Sequence, residues 1–198
     1  MDVIAVTNSR MENSQLVDVL LRIGDFIDRV ILRERLKTDA EVIGLIRLLL
    51  EAGFDENKII VHGRPDIALL TGIHRVQLPG HGLPLGLLRY SFPSLSFGRS
   101  VHSVEEAVMA YEAGADWLLY GHVFESPSKK GLPPRGTEEL FKMAQTIPLP
   151  IYAIGGIRPC HVIPLQQGGV SGIALMSAVF NSGTPEQSLA TYKGELIR

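Results

Sequence analysis

Short runs of β-branched and other apolar residues alternate with longer stretches of helical periodicity along the whole chain. That alternation is expected when parallel strands are joined by crossover helices. It predicts eight strands, near residues 2–7, 27–34, 58–62, 74–78, 95–101, 117–123, 150–155 and 172–177. Helix starts are marked by Thr38 with Glu41, Ser103 with Glu106, and Thr184-Pro185 with Gln187, each a hydroxyl three residues before a side chain able to cap it back. Glu51-Ala52-Gly53-Phe54-Asp55, Glu112-Ala113-Gly114-Ala115-Asp116 and Gln167-Gly168-Gly169 carry the glycine stops that close helices before a strand. The repeating unit is therefore helix, glycine stop, strand.

Eight such units close into a (β/α)8 TIM barrel or lie open as a doubly wound sheet. The open fold usually places a glycine-rich nucleotide loop after its first strand, and Val6-Thr7-Asn8-Ser9-Arg10 contains no glycine. The barrel is preferred, as one domain over residues 1–198 with little room for insertions. The segment from Gly80 to Pro93 is rich in glycine and proline, so the fourth helix is expected to be short or irregular.

Composition narrows the function. Of 198 residues, 45% are apolar and 20% charged, as in ordinary globular domains. Lys and Arg total 19 against 21 Asp and Glu, with no run of either sign, so neither nucleic acid nor an anionic membrane is an expected partner. A small molecule is. No basic stretch precedes an apolar one at Met1-Asp2-Val3-Ile4, and Arg47 interrupts the longest apolar helix, so a cytoplasmic protein is expected. Cys160 has no second thiol and is expected to be packed within a helix. Oligomeric state is open.

In a barrel of this kind the chemistry comes from the C-terminal ends of the strands. Gly155-Gly156 and Ser177-Ala178 fall after the seventh and eighth strands, where glycine amides and a helix start can hold a phosphate. A glycine pair also serves an ordinary tight turn. Alternation along Trp117-Leu118-Leu119-Tyr120-Gly121 puts Leu118, Tyr120 and His122 on one face. If that face lines the interior, His122 overlooks the pocket as an acid or base near neutral pH. Arg33, favoured over Arg35, can grip a carboxylate or phosphate, or merely join a rim salt bridge with Glu34 as outward partner. Lys129 and Lys130 lie in the loop after His122, within reach of the mouth. His62 and His102 are weaker candidates, and His74, His81 and His161 read as surface or loop residues. No metal-ligand spacing and no carboxylate pair appears at the strand ends, so no metal is expected.

Together, Leu32-Arg33-Glu34-Arg35, Gly63-Arg64-Pro65-Asp66-Ile67-Ala68-Leu69, His74-Arg75-Val76-Gln77-Leu78-Pro79, Gly98-Arg99-Ser100-Val101-His102-Ser103, Gly121-His122-Val123-Phe124-Glu125, Ala153-Ile154-Gly155-Gly156-Ile157 and Met176-Ser177-Ala178 resemble the thiamin phosphate synthase superfamily over almost the whole chain. The series is specific as an ordered set. In that resemblance the synthase holds magnesium and pyrophosphate with an Asn-Asp pair after strand three and an Asp after strand four. Here those positions read His62-Gly63 and Pro79-Gly80-His81-Gly82, and His122 replaces the proline that the synthase has after its strand-six glycine. The chain therefore looks more like the thiazole tautomerase branch. That branch isomerises a carboxylated dihydrothiazole phosphate to its aromatic thiazole without a cofactor. The resemblance implies His122 as the proton-transfer residue and Gly155, Gly156 and Ser177 around the phosphate. Arg33, helped by Ser100 or Lys130, is our assignment for the carboxylate. A non-catalytic ligand-binding or regulatory barrel and the synthase itself are the competing readings.

Overall fold

The computed structural model describes residues 1–126, 129 and 131–196. Eight parallel strands follow one another around a closed barrel: β1 (Asp2–Val6), β2 (Arg29–Leu32), β3 (Ile59–His62), β4 (Arg75–Leu78), β5 (Ser96–Val101), β6 (Trp117–Gly121), β7 (Ile151–Ile154) and β8 (Gly172–Leu175). Pairing of β1 with β8 at Asp2–Gly172 and Ala5–Leu175 closes the ring. The (β/α)8 architecture is the one the alternating pattern predicts, with strand ends up to two residues tighter.

The surrounding helices are α1 (Asn13–Ile23), α2 (Asp39–Glu51), α3 (Pro65–Thr71), α4 (Leu85–Ser91), α5 (Val104–Glu112), α6 (Glu138–Thr146), α7 (Val162–Gln167), α8 (Ser177–Phe180) and α9 (Pro185–Leu196). Thr38 caps α2 reciprocally with Glu41, satisfying two amide donors at its start. Ser103 caps α5 through the Glu106 amide, but the Glu106 carboxylate turns instead to the His102 N–H, at 2.8 Å. The glycine stops stand where expected, with positive φ at Gly53, Gly114 and Gly169, and α4 is short, with seven residues. No helix among the described residues is long and apolar enough to cross a membrane.

Two apolar layers hold the barrel. The outer one packs the backs of the strands against the helices. The inner one fills the lumen with Ile4, Val6, Ile31, Ile60, Trp117, Leu119, Tyr152 and Ala174. Gln77 is the polar member of this interior: its Oε1 accepts from Trp117 Nε1 at 2.8 Å, and its Nε2 donates to Ser100 Oγ at 3.2 Å. Such pairing keeps a buried amide from costing stability. At the N-terminal end Arg29, Asp2 and the Tyr152 hydroxyl form a hydrogen-bonded plug.

Two expectations are corrected. The interior face of β6 is Trp117-Leu119-Gly121, and Leu118 and Tyr120 point out to the helices, where the Tyr120 hydroxyl donates to Glu139 of α6 at 3.3 Å. A strand buried on both faces gives alternation no polar side to read. Cys160 is exposed, because it falls in a tight turn at Pro159–His161 before α7, whose buried positions are Val162 and Leu165.

Candidate active site

A cavity of about 380 Å³ opens at the C-terminal ends of the strands. Its wall includes Arg33, Arg35, His102, His122, Ser126, Lys129, Gly155, Gly156 and Ser177, contributed by five of the eight strand-to-helix connections. Apolar side chains of the topmost lumen layer, Val6, Ile154 and Met176, form its floor.

His122 reaches this wall although its strand-mates Leu118 and Tyr120 do not. β6 ends at Gly121, and alternation no longer applies beyond the strand. The Cα and Cβ of His122 pack over Gly155, whose φ is +106° and whose missing Cβ leaves the space that the His122 Cβ fills. Its Nε2 is buried, with no hydrogen-bond partner among the described residues. A buried ring nitrogen without a partner costs free energy unless something else engages it, and the residue that carries it lines the cavity. The loop beyond folds back on the site: the Arg135 and Gly136 amides donate to the His122 and Val123 carbonyls, both at 3.0 Å. Phe124 stacks on His161 with centroids 3.8 Å apart, pinning this loop to the turn after β7.

Beside His122, a glycine turn leads out of β7. Gly156 has φ +65°, and a Cβ there would overlap the carbonyl oxygens of Phe124 and Glu125, so backbone alone fits. Ser177 follows from β8 and opens α8, whose first amides have no intrahelical acceptor. This corner offers N–H donors and a hydroxyl to an anion.

Across the mouth, Arg33 and Arg35 supply positive charge. The Arg33 backbone is fixed, its N–H donating to Thr7 Oγ1 and its carbonyl accepting from Ser9 Oγ, both at 2.8 Å. Burial, and then the charge of Arg35, pull its guanidinium below the ordinary arginine pKa, and Glu34 only partly opposes this. Glu34 is not on the cavity wall. It is buried beside Lys37, whose Nζ lies 3.6 Å from its Oε2. A cation short of counter-charge in a concave site is suited to an anionic ligand. His62 lies near the same arginines, and burial followed by their charges pushes its pKa down to about 4.

Of the residues singled out from sequence, His122, Arg33, Gly155, Gly156 and Ser177 meet at one cavity. Ser100 does not line it, because its hydroxyl is engaged by Gln77. Lys130 lies outside the described residues, and the neighbouring Lys129 is on the wall. Arg35, His102 and Ser126 line it as well. The signal for Arg35 was its spacing of two from Arg33, and that for His102 was its place directly after β5. Nothing in the sequence marks Ser126.

A family model described as thiamine monophosphate synthase matches residues 3–179. A thiamine-phosphate synthase of Chlorobium luteolum is 40% identical over 131 residues, covering 65% of this chain and 62% of that protein. The chain thus spans somewhat less than two thirds of that relative's length. A thiamine-phosphate synthase of Roseiflexus sp. is 32% identical over 176 residues, covering 87% and 74%. Among solved structures, thiamine phosphate pyrophosphorylase from Pyrococcus furiosus superposes with a TM-score of 0.83 at 26% identity, over 99% of this chain and 95% of that one. 3-Hexulose-6-phosphate synthase from Salmonella typhimurium does so with 0.77 at 16% identity, over 100% and 99%, a likeness of fold alone.

Proposed function

The chain belongs to the thiamine monophosphate synthase family, and from that premise we propose that it is a cofactor-independent tautomerase, converting a carboxylated dihydrothiazole phosphate to the aromatic thiazole carboxylate phosphate. The observation that carries this reading is His122 on the wall of a cavity with anion-receptive groups to either side, its buried Nε2 without a hydrogen-bond partner among the described residues. The reaction removes a proton from ring carbon C2 and adds one to the exocyclic carbon, with no net change in atoms or electrons. One imidazole that takes a proton and returns it supplies what this requires. The glycine corner with Ser177 suits the phosphate, and Arg33 with Arg35 suits the carboxylate. Holding both ends of a rigid ring fixes its reacting carbons against His122.

The curated relatives favour a second reading, since they are named thiamine-phosphate synthases. In the resemblance that synthase depends on magnesium and pyrophosphate, so the donor set decides whether this chain can hold them. Among the described residues no group of three His, Cys, Asp or Glu side chains could ligate a metal. The end of β3, where the carboxylate would stand, carries His62 between burial and two arginine charges, surroundings that repel a cation. Among the described residues no Asp or Glu lines the cavity, so its wall offers a magnesium ion no carboxylate.

The discriminating experiment incubates the full chain with the dihydrothiazole carboxylate phosphate and follows the absorbance of the aromatic ring, with and without EDTA. Turnover that a chelator leaves unchanged supports the tautomerase. Turnover abolished by EDTA and restored by magnesium would favour the synthase-like chemistry, and binding without conversion would leave a ligand-sensing barrel.

A further inference from the structure

His102 and His122 stand on neighbouring strand ends, both on the cavity wall, and the ring of the first is bonded to the strand end that carries the second. His102 Nδ1 is hydrogen-bonded to the carbonyl oxygen of Gly121, the residue directly before His122. A carbonyl can only accept, so Nδ1 carries the hydrogen, and in the neutral ring Nε2 bears the lone pair. The backbone of His102 is clamped as well: its N–H donates to Glu106 Oε2 and its carbonyl accepts from Arg135 Nη1, both at 2.8 Å. Arg135 in turn donates its own N–H to the His122 carbonyl at 3.0 Å. Four residues thereby close a circuit, from the His102 ring to Gly121, along the chain to His122, across to Arg135 and back to His102.

The circuit holds the carbonyls on both sides of the His122 Cα, while the His122 Nε2 itself is held by no described residue. The backbone and the back wall at Gly155 therefore set where that ring sits. We infer that His102 is a positioning residue for His122, fixing the Gly121 carbonyl through its Nδ1–H and transferring no proton to the ligand. The inference rests on His122 being the working group of the cavity, and its functional magnitude follows from geometry: displacing a reacting group by about 1 Å can cost about 10²-fold in rate.

Two arms test it in the full-length chain. The first reads the imidazole nitrogens by 15N-resolved NMR at neutral pH, without any turnover. His102 is expected with Nδ1 protonated and Nε2 bare, and the opposite tautomer would overturn the inference. The second compares His102→Asn, whose side-chain amide can still donate to the Gly121 carbonyl, with His102→Leu, which cannot. His102→Leu should shift the His122 ring resonances and lower kcat about 10²-fold with KM little changed. His102→Asn should restore the resonances and most of the rate, with the pH–rate profile keeping the wild-type ionisation. Resonances of His122 that ignore His102→Leu, or an Asn variant as slow as the Leu variant with one ionisation lost from the profile, would overturn it. A chain that never converts the thiazole refutes the proposed activity, while the NMR readouts still decide the role of His102.

Discussion

Gly155 and His122 pack back to back: a Cβ on Gly155 would lie 2.6 Å from the His122 Cβ and 2.8 Å from its Cα. Gly155→Ala should therefore push the imidazole off the cavity wall and burden the backbone at φ +106°. The expected cost is about 1–3 kcal/mol in unfolding free energy, with a loss of kcat larger than that of KM. Gly131→Ala is the control, because Gly131 also has positive φ but nothing within 4 Å of its added Cβ. Urea unfolding and steady-state kinetics on both variants separate backbone strain from collision with His122. Equal behaviour of the two would mean that the contact does not matter.

The corner formed by Gly155, Gly156 and Ser177 lies away from the proton-transfer centres yet should orient the whole ring through the phosphate. Binding energy from such a remote group can be used for positioning. A dephosphorylated substrate is expected to lose at least about 10²-fold in kcat/KM. Similar efficiency for alcohol and phosphate would remove the anion site from the account.

His62 gives a signature in stability. Its folded-state pKa of about 4 lies below the ordinary 6.5, so between those values the unfolded chain holds a proton that the folded chain refuses. Stability from this group is whole above pH 6.5 and is lost as pH falls toward 4. The loss is at most about 3 kcal/mol from the size of the shift. Urea unfolding at pH 7.5 and 4.5 should show a smaller acid loss in His62→Gln than in the wild type. The same loss in both would place the acid sensitivity elsewhere.

The eight strands and their order were legible because short apolar runs alternate with helical stretches, three of which end in a glycine stop, and the short α4 was legible from Gly80 to Pro93. The inward face of β6 was not. All five residues of Trp117–Gly121 are buried, so neither side advertises itself. Positions beyond strand ends were harder still, since loop geometry decides them. Arg35 turns to the cavity along with Arg33, and Ser100 is taken up by Gln77, whose partner in the fold lies 23 residues away along the chain. His102 looked like a residue before a helix cap, and its bond to the Gly121 carbonyl spans 19 residues. Local sequence does not encode such pairings.

If the imidazole of His122 moves the proton, His122→Gln removes the step itself. Glutamine keeps comparable size and hydrogen bonding but does not exchange a proton near neutral pH. The kinetics of dihydrothiazole conversion should then show kcat reduced by about 10²- to 10⁴-fold, the range typical of a general acid–base group, with KM nearly unchanged and the circular dichroism spectrum retained. A His122→Gln protein with near wild-type kcat and an unchanged pH–rate profile would contradict the account.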